Sequence, residues 1–205
     1  KWLIWQLTRK LKATPVEELF SPDQPSTLDF LRSYGFSERI IRRFFRPFFG
    51  GIFLENKLRT PAGMFRFVFK MFSEGEAALP EKGIEAIPRQ LSAQLKHTQT
   101  RFNCRVQQVE GRELILEGGE RLPFEQLLIA TDPHPILPNL AGQQQDYQST
   151  CNLYYLTNQS PLDHILIALV ADEDRLINNW CVPSDLAPGY APEGRSLVSV
   201  TLKQI

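Results

Sequence analysis

Few residues in this chain are able to carry acid–base, nucleophilic or metal chemistry, and their spacing keeps them apart. His97, His134 and His164 fall on a helix end, a linker and a strand pattern, where solvated or structural roles are expected rather than a catalytic base. Cys104, Cys151 and Cys181 are odd in number and form no C-x-x-C or Cys/His cluster. Neither a disulfide framework nor a zinc site is expected, and a reducing compartment fits. Asp132 follows an apolar run, but Pro133 directly after it points to a turn-stabilising carboxylate. No metal site is assigned, and no catalytic acid or base is named.

The most unusual composition lies in RRFFRPFFGGIF and MFRFVFKMF, within a chain that has 14 Phe and only two Met. One reading is a set of core helices packing on one another. A second is an apolar tunnel for a long lipid substrate, with Phe45, Phe49, Phe65 and Phe69 as candidate lining residues. A third is a membrane interface, with Arg42, Arg43 and Arg46 interleaved among Phe44, Phe45, Phe48 and Phe49. Basic residues among aromatics also suit single-stranded nucleic acid, but these rings fall at helical spacing rather than on a sheet or groove. Lys plus Arg number 23 and so do Asp plus Glu, so no global field draws nucleic acid, anionic lipid or an acidic substrate.

The elements behind these residues follow from periodicity. Residues 1 to 80 read as helical. Leu3, Leu7 and Leu11 share one face beside basic Arg9, Lys10 and Lys12. Ser26 is placed to cap a helix carrying Leu28 and Leu31, which Gly35 stops. Ser37 starts another through Ile40, Ile41, Phe44 and Phe45, with Pro47 as its expected break. Met64, Phe65, Val68, Phe69 and Phe72 form the stripe of a helix at 62 to 72, with Arg66 and Lys70 off it. Ile84, Ile87, Leu91 and Leu95 predict one short helix. Segments 102 to 109, 113 to 117 and 120 to 124, separated by glycine turns, predict a three-stranded meander. The run Leu127 to Ala130 is uninterrupted and apolar, as in a strand covered on both faces. Residues 133 to 149 read as a linker. CNLYYLTN, HILIALV, RLINNW and SLVSVTL then predict an antiparallel sheet.

This order resembles the middle of the FAD-dependent amine oxidases, protoporphyrinogen oxidases and phytoene-desaturase-like oxidoreductases. The likeness is carried by LPEKGIEAIPRQLSAQL, CRVQQVEGRELILEGGERLPFEQLLIATDP and YAPEGRSLVSV. Such proteins begin with a G-x-G-x-x-G turn that holds the FAD pyrophosphate on a helix N-terminus. No such motif occurs here. The glycine pairs Gly50-Gly51 and Gly118-Gly119 do not open a helix after a buried strand, and the family's late Gly-Asp motif is also missing. The resemblance implies that Val106 offers its backbone N–H and C=O to the adenine. It also implies that Ala130 and Thr131, at a strand end, lie close to the cofactor.

The expected fold is α+β. Residues 1–78 form the helical part of a substrate domain, 79–140 a partial FAD-binding domain, and 141–205 the antiparallel-sheet part of the substrate domain. A first residue other than Met, an apolar run too short for a signal peptide, and a last strand without a following segment suggest a piece of a longer parent. By resemblance that parent is an enzyme moving hydride from a lipophilic, isoprenoid-type substrate onto FAD, cytoplasmic or peripheral to a membrane. The piece itself is expected to be inactive. The rival readings are a non-catalytic lipid-binding or membrane-docking module and a structural interaction domain.

Overall fold

A computed structural model describes residues 1–137, 147–172 and 174–203. The fold is α+β, and the chain divides into two units, residues 1–90 with 148–205 and residues 91–147. The linker expected at 133 to 149 lies partly outside the described residues.

The first unit opens with helix α1 (Trp2–Ala13), which buries Leu7 and Leu11. Ser26 caps α2 (Thr27–Ser33) by accepting the Asp29 N–H at 3.1 Å. Gly35 then turns with φ +98°, and the Phe36 N–H reaches the Leu31 carbonyl. The next helix departs from expectation. Pro47 does not break it, because α3 (Glu38–Ile40) passes into a π-helical turn at Ile41–Phe45 and continues as α4 (Arg46–Phe53). The wider turn resets the hydrogen-bond register so that Pro47 sits in the first turn of α4, where a missing N–H costs little. Leu54 ends α4 in the left-handed conformation, with φ 55°.

α5 (Ala62–Glu74) completes the helical layer, and its start is clasped to that of α2. The Thr27 N–H and hydroxyl both donate to the Thr60 carbonyl, and the Ala62 N–H donates to the Pro25 carbonyl. The core they enclose contains Leu7, Leu11, Leu19, Leu31, Ile41, Phe45, Phe49, Leu58 and Phe65. Lys70, expected off the apolar stripe, is nonetheless only 7% exposed. Its ammonium donates to the carbonyls of Leu11 and Lys12, both at 3.0 Å, and to Glu74 at 2.7 Å.

Gly63 lets α5 close on the segment before α2. A Cβ there would stand 2.8 Å from the Leu19 carbonyl oxygen and 2.4 Å from Gln24 Oε1. That carbonyl already accepts from Gln24 Nε2 and Arg66. Gly63→Ala is therefore expected to lower stability by about 1–3 kcal/mol, the usual range for overpacking, as read from a denaturant midpoint.

The sheet of this unit comprises β4 (Asn152–Thr157), β5 (Ala168–Leu169), β6 (Ile177–Cys181) and β7 (Ser196–Leu202), all antiparallel in the order β4-β7-β6-β5. Of the expected HILIALV strand Ala168 and Leu169 pair with β6 and the Val170 N–H reaches the Asn178 carbonyl, while Ile165 to Ile167 are exposed. α4 packs on β6 at Gly51, where a Cβ would meet Asn178 Oδ1 at 2.6 Å. The short helix α6 (Ala86–Ser92) covers only part of the periodic stretch, whose apolar positions Ile84, Ile87, Leu91 and Leu95 are exposed.

The second unit holds the meander β1 (Val106–Glu110), β2 (Glu113–Leu116) and β3 (Arg121–Pro123), antiparallel in that order. Gly111, Gly118 and Gly119 supply its positive-φ turns. Arg121 bridges Glu110 at 2.7 Å and Glu113 at 2.9 Å, tying the three strands together on their exposed side. The run Leu127 to Ala130 is a correction: it forms no strand, and Leu128 is 89% exposed. A strand needs neighbours to satisfy its backbone, and no strand among the described residues pairs with this one.

Candidate functional site

The meander and the apolar run after it border an open hollow of about 600 Å³. Val106, Ala130 and Thr131 all line it, so residues widely separated in sequence converge on one concavity. Val106 reaches it from the open edge of the sheet, since β1 is an outer strand. The Glu117 N–H donates to the Arg105 carbonyl, which makes Arg105 and Glu117 a hydrogen-bonded pair. Val106 faces Leu116 in the register. By the alternation of an antiparallel ladder, Val106 is a non-bonded position, with its N–H and C=O directed away from β2. A bulge at Gln107 follows at once and bends the strand there.

The rest of the lining is mostly apolar, including Val109, Leu114, Leu127, Leu128 and Ile136. At the rim, Asp132 Oδ1 accepts the His134 backbone N–H at 3.1 Å and faces the His134 ring at 3.2 Å. The backbone bond, and then the ring, hold the Asp132 carboxylate below its ordinary range. The hollow's edge stays negatively charged to lower pH than an ordinary aspartate would allow. As a turn, Asp132-Pro133-His134 matches the role expected of it. Leu127 and Leu128 belong to this lining although periodicity had assigned them to a buried strand. Their signal was the run's apolarity.

The phenylalanine candidates lie elsewhere. Phe45, Phe49 and Phe65 have no solvent exposure, and Phe69 packs beside them, part-buried. Their rings face one another, with centroids 4.7 Å apart for Phe49 and Phe65, 5.9 Å for Phe45 and Phe65, and 5.6 Å for Phe65 and Phe69. The hollow along α5 is lined instead by Phe67, Val68, Met71 and Phe72. Among the described residues no group of three or more His, Cys, Asp or Glu converges.

A family model for flavin containing amine oxidoreductases matches residues 5–203. The chain belongs to that family. A solved structure, that of the PF1083 protein from Pyrococcus furiosus, superposes with a TM-score of 0.70 at 13% identity and covers 97% of this chain. At that identity the likeness concerns the fold. This chain spans 55% of the length of that one. No curated protein matches the chain.

The residues present fit part of the family's cofactor class. An apolar hollow beside a strand edge with outward-facing N–H and C=O fits the flat, hydrogen-bonding base of a dinucleotide. A phosphate cradle is not found among the described residues. Gly50-Gly51 lies inside α4 rather than at a helix start, and Gly118-Gly119 forms the β2–β3 turn. The fit therefore extends to a base and not to a phosphate group.

Proposed function

We propose that this chain is the substrate-side portion of a flavin-dependent oxidoreductase that uses FAD, with Val106, Ala130 and Thr131 contacting the adenine end of the cofactor. The observation that carries this reading is the hollow in which those three residues meet at the free edge of β1. A bound flavin would supply the electron-accepting chemistry, as the acceptor of a hydride from the substrate. The chain contributes orientation and an apolar surface. Val106 presents a donor and an acceptor to a base edge, Ala130 and Thr131 allow close approach, and the apolar lining offers a face for the ring. The substrate class we favour is lipophilic and isoprenoid-like. Its support is the phenylalanine-rich helical layer and the apolar lining along Phe67, Met71 and Phe72. Three free cysteines suit a reducing compartment.

The test is flavin affinity in a longer version of the protein that includes a G-x-G-x-x-G segment. Val106→Pro removes one backbone donor, worth roughly 0.5–1.5 kcal/mol, so a loss of a few-fold to about tenfold is expected. Val106→Ile keeps the backbone groups and should bind as the parent does. Equal affinity of the two, with both folded by circular dichroism, would remove the adenine assignment. The 205-residue chain alone is expected to be colourless. A few backbone contacts do not offset the several kcal/mol of lost translational and rotational freedom.

A further inference from the structure

The outer face of α1 has a chemistry that the flavin reading leaves unused. Leu7 and Leu11 enter the core, with Leu3 and Ile4 packed beside them. At about 100° per residue, positions 2, 5, 9 and 12 fall on the opposite side of the helix. They hold Trp2, Trp5, Arg9 and Lys12, and the two indoles are 67% and 55% exposed. The Arg9 guanidinium lies over the Trp5 ring, 5.6 Å from its centroid. Beside them is a shallow hollow lined by Trp5, Gln6, Arg9, Lys10, Ala13 and Tyr34. No acidic residue occurs from Lys1 to Ala13, so every charged side chain there, Lys1, Arg9, Lys10 and Lys12, is cationic.

This combination differs from the other cationic stretch. Around Arg42 and Arg43 the neighbouring rings turn inward: Phe45 and Phe49 are buried, and Phe44 and Phe48 pack on the core. Those arginines therefore stand in solvent without an apolar anchor. On α1 the large amphipathic rings themselves face outward among cations, a composition suited to the headgroup layer of a lipid surface while the leucine face stays in the core. Indoles favour headgroup depth, where one edge is wet and the body is apolar. With 23 basic and 23 acidic residues in the chain, overall charge supplies no attraction, so any pull toward an anionic surface is local to such a face.

We propose that α1 docks the protein on an anionic lipid surface, with Trp2 and Trp5 at headgroup depth and Arg9, Lys10 and Lys12 on the lipid phosphates. The inference does not rest on the flavin reading, and a protein that bound no flavin would leave it standing. No helix among the described residues is long and apolar enough to cross a membrane, so the contact is with the surface.

The experiment is cosedimentation with vesicles of phosphatidylcholine, with and without phosphatidylglycerol, using the 205-residue chain. Binding is expected on the anionic vesicles alone and should weaken as salt rises. Each basic residue near an anionic surface is worth roughly fivefold in partitioning, so Arg9→Glu with Lys12→Glu should reduce binding by at least about twentyfold. In a Trp180→Phe background Trp2 and Trp5 are the remaining indoles, and their emission should shift to shorter wavelength on anionic vesicles. Arg42→Glu with Arg43→Glu is expected to retain most of the binding. Circular dichroism checks that each variant is folded. The proposal is overturned if the α1 variant binds as the parent does, if the Arg42 and Arg43 variant alone loses binding, or if the indole emission does not move. Equal binding to soluble polyglutamate without an emission shift would also overturn it, in favour of an acidic protein partner.

Discussion

Phe65→Ala should lower the unfolding free energy of the helical layer by about 3–5 kcal/mol, measured by denaturant titration. The ring is fully buried and touches Phe30, Phe45, Phe49 and Phe69, with centroids between 4.7 and 5.9 Å away. Removing it costs the transfer of a large apolar group, and the aromatic neighbours add pair energies beyond area alone. Those neighbours are held by α2, α4 and the π-helical turn, so the hole closes only in part. Phe65→Leu should cost clearly less, because it keeps most of the volume. The measurement also bears on the substrate reading. A core ring is expensive to delete, whereas a ring lining an open tunnel is not. A loss below about 1 kcal/mol would show that Phe65 faces removable space and would return it to the list of lining residues.

Lys70→Met should cost about 2–3 kcal/mol, although the substitution keeps an apolar stem of similar length. The Lys70 ammonium gathers the last carbonyls of α1, those of Leu11 and Lys12, and pairs with Glu74 one turn along α5. After the substitution the Leu11 carbonyl keeps the Thr14 N–H, but the Lys12 carbonyl loses this donor. A partly buried carbonyl stranded in this way, together with a Glu74 carboxylate left without its partner, costs about 1–3 kcal/mol. Glu74→Gln should cost less than 1 kcal/mol, since that carboxylate is partly exposed. Amide hydrogen exchange should locate the effect: protection of α1 falls first, and that of α2 and α5 follows only in strong denaturant. Uniform loss across all three helices would mean that Lys70 supports the core generally rather than docking α1.

Local signals made some of this legible and left the rest hidden. The leucine spacing of α1, the serine before α2 and the glycine turns of the meander act within a few residues, and each appears where the sequence placed it. The extension through Pro47 was hidden, because a π-helical turn is a response to packing and has no motif. Lys70 was hidden for a related reason. A lysine reads as solvated unless one knows that carbonyls from another helix wait to receive its protons. The run at Leu127 failed differently: its residues have the right character for a covered strand, but strand formation depends on partners that periodicity cannot supply. Val106, Ala130 and Thr131 came from resemblance, since backbone recognition leaves no trace in side-chain chemistry. Their meeting in one hollow is what the fold adds. The phenylalanines were read by composition, which cannot distinguish a ring that faces a ligand from one that faces another ring.

The close approach at Gly51 has a consequence for how the polypeptide is made. α4 leaves the ribosome long before Asn178 and Asn179, the residues of β6 on which it rests. At ordinary elongation rates the interval from residue 50 to residue 178 is on the order of ten seconds, far longer than a helix takes to form. Throughout that time the nascent helical layer lacks its sheet, while residues 91–147 emerge and can complete their own meander. Chaperone binding to stalled chains should therefore be strongest for lengths ending between the meander and β6, and should fall once β7 has cleared the exit tunnel.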